Sequence, residues 1–411
     1  TKPYEYITAI QWTKSENQLA LLCSNRHQNE LDINIANTTT GKVKTTYTET
    51  SDTYIEMPFF IEFMEDQKSY IVLSERDGFN HIYQHFLNGG KVNQITKGEF
   101  DITELYGIDE KNKKVYFQSA EVSPMERHIY SIGLNGKSKK KLTAKAGTND
   151  ASFSNSFDYF INYHTDANHP YYITLNTNDG KVKRVLEDNK ALNEKLDQLA
   201  IAPKEFFSFK TSEGISLNAW MIKPANFDAS KKYPVFLTIY GGPGSQTVTD
   251  SWGSSNYFWH QMLAQQGYIV VSVDNRGTGA RGAEFKKCTY KQLGKLEVLD
   301  QIEAAKHFAT LPYVDEDRIG VQGWSYGGFM SSNLLLKGAE QFKMAIAVAP
   351  VTNWRFYDSI YTERYMQTPQ ENPEGYDDNS PINHVGKLEG KYLLVHGTAD
   401  DNVHYQNAAE M

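Results

Sequence analysis

Short runs of apolar and polar positions alternate with turn residues from the start of the chain to Ala202, a pattern typical of antiparallel β-strands. The same arrangement recurs four times, each time as a strand that leads into a turn containing Gly-Lys. The turn glycines are 49, 46 and 44 residues apart: Gly41, Gly90, Gly136 and Gly180. Short strands with such turns and a repeat in the forties predict blades of a β-propeller, with a plain antiparallel sandwich as the alternative.

Each repeat contains an upstream strand candidate and a strand that enters the turn. The upstream strands are predicted at 19–23, 69–74, 114–118 and 157–163, and the strands before the turns at 32–35, 81–84, 128–131 and 171–174. We therefore expect residues 1–202 to form a partial β-propeller of about four blades.

The pattern changes at Pro203, where a predicted hairpin at 205–210 and 215–223 is followed by apolar strands that alternate with helices. The strands are predicted at 235–240, 268–274, 318–322, 344–351 and 392–396, and the helices at 257–266, at 296–311 and after Ser325. Near-continuous apolar strands separated by helices indicate a mostly parallel sheet with helices on both faces. Residues 203–411 are therefore expected to form a second domain, with its chemistry at the carboxyl ends of the strands.

Composition excludes several classes of protein. Charged residues make up 22% and apolar residues 40% of the chain, which is ordinary for a globular protein, and the net charge of −8 argues against nucleic acid as a partner. The longest apolar runs are too short for a membrane segment. Cys23 and Cys288 fall in different predicted domains, so free thiols are expected. We expect neither a metal ion nor another cofactor.

The most informative motif is Gly323-Trp324-Ser325-Tyr326-Gly327-Gly328, which lies between a predicted strand and a predicted helix. A serine on such a tight turn is exposed at the carboxyl end of a sheet, and only glycine tolerates the crowding two residues to either side. The strand before and the helix after make this motif a nucleophile elbow of the α/β-hydrolase fold. Ser325 is the predicted nucleophile.

A serine nucleophile requires a base and an acid that orients the base. In α/β-hydrolases the acid lies on the loop after a later strand, which here makes Asp400 or Asp401 the candidate. His404 is too near Asp400 in the chain to serve as the base. His396 ends the strand, where packing or bonding to the loop backbone is the expected role. The triad histidine is therefore expected beyond Met411.

The loop after strand 235–239 provides a candidate for oxyanion stabilisation. In α/β-hydrolases this position supplies one hydrogen-bond donor to the tetrahedral intermediate. Tyr240 offers a hydroxyl there, and the backbone N–H of Tyr326 offers a second donor. The alternative is a glycine-rich turn in which Tyr240 only packs.

Five stretches of the chain together resemble the dipeptidyl peptidase IV subfamily of the prolyl oligopeptidase family of serine peptidases. They are residues 240–245, 323–328, 348–354, 357–365 and 396–404. The resemblance implies a propeller that caps an α/β-hydrolase domain. It also implies an enzyme that releases dipeptides from free amino termini after Pro, and sometimes after Ala.

The resemblance implies roles for ten residues. It makes Ser325 the nucleophile and Asp400 the triad acid, with Tyr240 and Tyr326 as the oxyanion donors. The predicted substrate-binding residues are the walls of the proline pocket, Val351, Trp354, Tyr357, Tyr361 and Val403, and Asn402, which holds a substrate carbonyl. Compact apolar and aromatic walls suit a pyrrolidine ring.

Several features of the family have no counterpart in this chain. The acidic pair that grips the substrate amino group is expected upstream of Thr1, and the triad histidine beyond Met411. We therefore expect an interior fragment of a bacterial enzyme that is inactive alone, and prolyl tripeptidyl peptidase or acylaminoacyl peptidase remains an alternative. The resemblance also implies a homodimeric parent protein and a periplasmic or otherwise extracytoplasmic location.

Overall fold

The structure, a computed structural model, describes residues 3–57, 61–254 and 256–411. The chain divides into two compact units. Unit 1 comprises residues 1–165, 171–188 and 280–284, and unit 2 comprises residues 166–170, 189–279 and 285–411. The domain boundary between residues 202 and 203 stays a prediction.

The described residues of unit 1 form four sheets of four strands each, in which the strands pair in chain order. The strands of the first two sheets are β1 (Tyr6–Trp12), β2 (Gln18–Ser24), β3 (Glu30–Asn37), β4 (Val43–Thr50), β5 (Glu62–Phe63), β6 (Ser69–Ser74), β7 (His81–Phe86) and β8 (Asn93–Gln94). Those of the other two are β9 (Ile102–Asp109), β10 (Lys114–Ser119), β11 (His128–Gly133), β12 (Lys140–Lys141), β13 (Thr148–Phe153), β14 (Tyr159–Asp166), β15 (His169–Thr177) and β16 (Val182–Glu187). Four-stranded sheets repeated along the chain are propeller blades, so this prediction is confirmed.

Neighbouring sheets of unit 1 pack face to face. In β6, Tyr70 packs in a cluster with Leu22 of the first sheet, whereas the next residue, Ile71, packs in a cluster with Val115 and Phe117 of the third. Successive side chains of a strand point to opposite faces. The second sheet is therefore covered on both faces, which explains why its inner strands β6 and β7 are buried at most positions.

The turn glycines have the backbone conformation that their positions require. Gly41, Gly136 and Gly180 have φ angles of 68°, 73° and 90°, a region that favours glycine. In the second sheet, where the predicted turn contains the adjacent Gly89 and Gly90, the left-handed residue is Gly89, with φ 79°.

Unit 2 is built on a seven-stranded sheet with the order β17-β18-β20-β19-β21-β22-β23. Its strands are β17 (Lys204–Lys210), β18 (Ser216–Ile222), β19 (Tyr233–Ile239), β20 (Ile269–Asp274), β21 (Val314–Trp324), β22 (Met344–Val348) and β23 (Lys391–Val395). The β17–β18 and β18–β20 pairs are antiparallel and the other four pairs are parallel.

Among the described residues, one helix precedes β17, and the other helices lie between the strands of this sheet and after them. They are α1 (Lys190–Leu196), α2 (Tyr257–Gln265), α3 (Gly282–Lys287), α4 (Leu296–Ala309), α5 (Tyr326–Lys337), α6 (Ser359–Met366), α7 (Pro373–Asn379) and α8 (Gln406–Glu410), with 3₁₀ helices at Trp354–Phe356 and Pro381–Lys387. Helix α2 packs on β18 and β20, and α4 and α5 pack on β21. The mostly parallel sheet with its helices confirms the α/β-hydrolase prediction.

The topology of the sheet determines where the loops of unit 2 meet. Strands β19, β21, β22 and β23 are consecutive neighbours and run parallel. Their carboxyl ends therefore lie along one edge of the sheet, where ligands bind in open α/β sheets. The segments that follow β19, β21, β22 and β23, including the helices in them, contain all ten predicted site residues.

Candidate active site

Ser325 lies between the last residue of β21 and the first residue of α5. Its φ of 58° and ψ of −116° form a strained combination for a residue with a side chain. The amide of Ser325 donates a 2.9 Å hydrogen bond to the carbonyl of Val348 in β22, and its carbonyl accepts a 3.0 Å bond from the amide of Phe329. The strained conformation is therefore held by both the adjacent strand and the helix.

The two glycines that flank Ser325 by two residues lie against backbone atoms. A Cβ atom on Gly323 would overlap the carbonyl group of Gly327, and one on Gly327 would overlap the carbonyl oxygen of Ile239 in β19. The prediction that only glycine fits at both positions is confirmed. Because both residues lack a side chain, the backbone at the start of α5 can pack directly against the backbone of β19 and β21.

Tyr326 opens α5 and is only 2% exposed. Amide groups in the first turn of a helix have no partner within the helix, so the Tyr326 amide is available beside Ser325. The hydroxyl of Tyr326 donates a 2.8 Å hydrogen bond to Oε1 of Glu297. Burial and the adjacent Glu297 carboxylate raise the pKa of Tyr326 well above its usual value, so this hydroxyl stays protonated.

Tyr240 follows β19, the strand adjacent to β21. Burial, and then the nearby Tyr357, raise the pKa of Tyr240, so its hydroxyl is a hydrogen-bond donor at neutral pH. The loop after Tyr240 is held by two fully buried amides. The Asn275 side chain donates to the carbonyl of Gly241 at 3.0 Å, and the Gln301 side chain donates to Oδ1 of Asn275 at 3.0 Å.

Asp400 lies in the loop after β23. Its Oδ1 atom accepts hydrogen bonds from the amides of Asn402 at 3.1 Å and Val403 at 3.0 Å. The carboxylate therefore has a fixed orientation, whereas the adjacent Asp401 is exposed. The geometry favours Asp400 over Asp401 as the candidate acid.

The side chain of His396 holds the same loop through a hydrogen bond to its backbone. Its side chain is 1% exposed, and its Nε2 atom donates a 2.7 Å hydrogen bond to the carbonyl of Val403. Oδ2 of Asp400 lies 3.6 Å from this nitrogen. The expectation that His396 bonds to the loop backbone is confirmed.

The predicted pocket walls form a continuous aromatic cluster. Ring centroids are 5.5 Å apart between Tyr326 and Trp354, 6.0 Å between Trp354 and Tyr361, and 5.3 Å between Tyr357 and Tyr361. Tyr240 joins the cluster through Tyr326, with centroids 5.9 Å apart. The cluster therefore extends from the candidate oxyanion donors to α6.

The remaining predicted residues are two buried valines and Asn402. Val351 and Val403 are each 2% exposed. The hydroxyl of Tyr357 donates a 3.0 Å hydrogen bond to Oδ1 of Asn402, which connects the aromatic cluster to the loop of Asp400.

Sequence reasoning missed three buried residues that hold these loops. Glu297 and Asn275 bond to Tyr326 and to the loop after Tyr240, as described above. Asn407 of α8 is fully buried, and its Oδ1 and carbonyl oxygen accept bonds of 2.9 and 2.7 Å from the amide and hydroxyl of Thr352. One signal for the burial of Glu297 was available in the sequence. Ala304 and Ala305 follow it by seven and eight residues in α4, so the three side chains lie on the same face of the helix.

The edge of the sheet thus carries a hydroxyl on a strained elbow, an oriented carboxylate and two neutral hydrogen-bond donors. This combination suits acyl transfer. Among residues 3–57, 61–254 and 256–411, no group of three or more His, Cys, Asp or Glu side chains is arranged to hold a metal ion.

Two family models match the chain. The model of the prolyl oligopeptidase family matches residues 255–411, and the model of the dipeptidyl peptidase IV N-terminal region matches residues 1–171. The chain belongs to the prolyl oligopeptidase family. The two matches cover the first three sheets and part of the fourth sheet of unit 1, and in unit 2 the segments that contain Ser325, the predicted pocket walls and Asp400. The resemblance read from the sequence motifs is therefore confirmed.

Members of the prolyl oligopeptidase family align with almost the whole chain. The crystal structure of Porphyromonas gingivalis dipeptidyl peptidase 4 is 43% identical with a TM-score of 0.94, covering 98% of this chain and 57% of that one. The probable dipeptidyl peptidase 4 of Emericella nidulans is 36% identical over 430 residues, covering 100% of this chain and 55% of that protein. Dipeptidyl peptidase 4 of Trichophyton equinum is 38% identical over 356 residues, covering 85% and 46%. The chain therefore spans about half the length of these relatives.

The helices that the structure describes are all too short or too polar to cross a membrane.

Proposed function

We propose that the protein containing this chain is a serine exopeptidase that releases dipeptides with Pro or Ala in the second position from peptide amino termini. The observation that carries the proposal is the backbone of Ser325, held at φ 58° between an inner strand of the sheet and a buried helix. The names of the relatives support the same activity.

The proposed reaction proceeds through an acyl-enzyme. Oγ of Ser325 attacks the carbonyl carbon of the second substrate residue, and a histidine outside residues 1–411, oriented by Asp400, takes the hydroxyl proton. The carbonyl oxygen becomes an oxyanion that accepts hydrogen bonds from the Tyr240 hydroxyl and the Tyr326 amide. The peptide C–N bond then breaks, and the leaving amine takes the proton from the histidine. Water hydrolyses the Ser325 ester by the same route.

The aromatic cluster supports the preference for Pro. In the proposal, the pyrrolidine ring lies among Trp354, Tyr357 and Tyr361, next to Val351 and Val403. A rigid five-membered ring fills a small aromatic pocket without losing side-chain entropy on binding. Asn402 is held by Tyr357, which leaves its side-chain NH₂ group to donate to a substrate carbonyl.

The test is Ser325→Ala in the full-length protein, assayed on a glycyl-prolyl chromogenic substrate. We expect kcat/KM to fall at least about 10³-fold, as is usual when a triad nucleophile is removed. Retention of activity within tenfold of the unmodified protein would refute the proposal. Mass analysis of products from a longer peptide separates release of dipeptides from release of tripeptides, and an acetylated peptide tests the acylaminoacyl peptidase alternative.

We also propose a two-domain organisation over residues 1–202 and 203–411, a homodimeric full-length protein, and a periplasmic or otherwise extracytoplasmic location in a bacterium. The relatives named above support this only by family membership. Size-exclusion chromatography with light scattering tests the dimer, and fractionation of the source cells tests the location.

A further inference from the structure

A buried carboxyl group with no assigned role, that of Glu297, lies next to the residue that follows Ser325. Glu297 is in the first turn of α4 and is fully buried. Burial raises the pKa of Glu297 to about 7, while backbone N–H groups and the Tyr326 hydroxyl counteract this. A buried carboxyl group is costly unless its position brings a compensating interaction. Its side-chain partner in the structure is the Tyr326 hydroxyl, 2.8 Å away.

The ring of Tyr326 links most parts of the candidate active site. Its backbone follows Ser325 directly and offers the second oxyanion donor. Its ring contacts Tyr240, which offers the first donor, and Trp354, a wall of the pocket. A Cβ atom on Gly242 would lie only 3.1 Å from the Tyr326 ring, so the loop after Tyr240 packs directly on this ring.

The hydroxyl of Tyr326 is the end of the side chain that lies farthest from the backbone. Van der Waals contacts along the ring limit its sideways movement. A hydrogen bond at the hydroxyl also limits rotation of the ring about χ1 and its movement along the direction of the side chain. Glu297 makes that bond from α4, a separate element that packs on both β21 and α5. Loss of the acceptor would leave a buried hydroxyl unsatisfied, which favours movement of the ring.

We propose that Glu297 is a positioning residue that fixes the Tyr326 ring and thereby aligns both oxyanion donors with Ser325. This inference rests on the proposed acyl-transfer function and adds a residue that acts through Tyr326 without touching the substrate. A displacement of about 1 Å at a reacting group can cost about 100-fold in rate, so small movements of this ring matter.

The test compares Glu297→Gln, Glu297→Met, Tyr326→Phe and the Glu297→Met/Tyr326→Phe double variant in the full-length protein. The first readout is the rate at which a fluorophosphonate labels Ser325, which requires the elbow and the oxyanion donors but no peptide specificity. The second is kcat and KM on the glycyl-prolyl substrate. Glu297→Gln keeps an acceptor oxygen and is expected to remain within about threefold of the unmodified protein in both readouts.

Glu297→Met is expected to lower the labelling rate and kcat about 10- to 100-fold, with KM changed less than about threefold. The double variant is expected to lose no more than Glu297→Met alone, because the two groups act through one hydrogen bond. Asp300→Asn is the matched control, since Asp300 is a buried carboxylate of the same helix that bonds to Arg276. It is expected to lower the melting temperature but to leave the labelling rate within about twofold.

Labelling of Glu297→Met at the unmodified rate, or losses that multiply in the double variant, would overturn the inference. A protein whose Ser325 is labelled but which does not cleave the glycyl-prolyl substrate would overturn the proposed specificity and leave the Glu297 test valid. A protein whose Ser325 is not labelled would overturn both.

Discussion

The Nε2 atom of His396 lies 2.7 Å from the carbonyl oxygen of Val403, seven residues later in the same loop. A carbonyl oxygen only accepts hydrogen bonds, so this nitrogen carries the proton and is the donor. The bond closes the loop that presents Asp400, and it occupies the nitrogen that a general base would use. His396 is therefore a structural residue of the loop that contains Asp400.

Glutamine at position 396 is expected to preserve this role, because its side-chain amide also donates to a carbonyl. Leucine, which fills similar space without a donor, is expected to lower kcat/KM more than about tenfold by releasing the Asp400 loop. Peptidase assays of His396→Gln and His396→Leu in the full-length protein check this expectation. Equal inactivation of both variants would instead favour direct participation of the imidazole.

Gly327 is expected to tolerate no side chain. A Cβ atom there would overlap the carbonyl oxygen of Ile239, and both groups belong to buried backbone that cannot move aside. Gly327→Ala is expected to cost about 3 kcal/mol in the free energy of unfolding, or to prevent folding. Gly386 is the control, because its Cβ would meet no atom within 4 Å, and Gly386→Ala is expected to change stability by less than about 0.5 kcal/mol. Urea unfolding of both variants measures the difference, and similar losses would contradict the close contact.

Tyr240→Phe removes one candidate oxyanion donor and keeps the ring. We expect kcat to fall about 10²- to 10³-fold with KM nearly unchanged, because the hydroxyl acts on charge that develops only in the transition state. Tyr268→Phe is the control, since Tyr268 is an exposed tyrosine before β20. Steady-state kinetics of the full-length protein provide the measurement. A rise in KM with kcat unchanged would assign Tyr240 to substrate binding instead.

His85 in unit 1 is expected to limit stability in acid. It is 2% exposed and stacked on Tyr70, with ring centroids 5.3 Å apart. Burial, and then the charge of Arg76, lower the pKa of His85 from 6.5 to about 3. Between these values the unfolded chain binds a proton that the folded chain does not, so stability falls as pH drops below 6.5. The loss attributable to His85 is about 2 kcal/mol at pH 5.

Phenylalanine at position 85 fills the same space without a titrating group. His85→Phe is therefore expected to flatten the fall in stability between pH 7 and pH 5, measured as the melting temperature of the region containing unit 1. The exposed His404 is the control, and His404→Gln is expected to leave the pH dependence unchanged. An acid profile of His85→Phe that parallels the unmodified protein would contradict a neutral buried His85.

Local patterns predicted much of the fold. The strand-turn-helix around Ser325 was predictable because three constraints coincide there: an apolar strand, glycines at both flanks and an apolar helix. The propeller sheets were predictable from the spacing of turn glycines, although the adjacent Gly89 and Gly90 could not be distinguished. Asp400 and Asp401 could not be separated by spacing alone, because the difference lies in which carboxylate accepts the loop amides.

The inner face of α4 could not be predicted by the same reasoning. Hydrophobic periodicity places apolar residues of a helix toward the core, yet Leu299 is 45% exposed while Glu297, Asp300 and Gln301 are fully buried. These polar residues each bond to a partner far away in the sequence: Tyr326, Arg276 and Asn275. Partners of this kind become visible only when the sheet has brought the loops together.

Helix α5 is buried at every position from Tyr326 to Leu336, and β21 lies inside the sheet between two parallel neighbours. Ser325 therefore lies at the junction of an inner strand of the sheet and a buried helix rather than on a loop at the periphery of its unit. On heating, the segment around Ser325 is therefore not expected to unfold before the rest of unit 2. Loss of catalytic competence and cooperative melting of unit 2 are expected to occur at the same temperature.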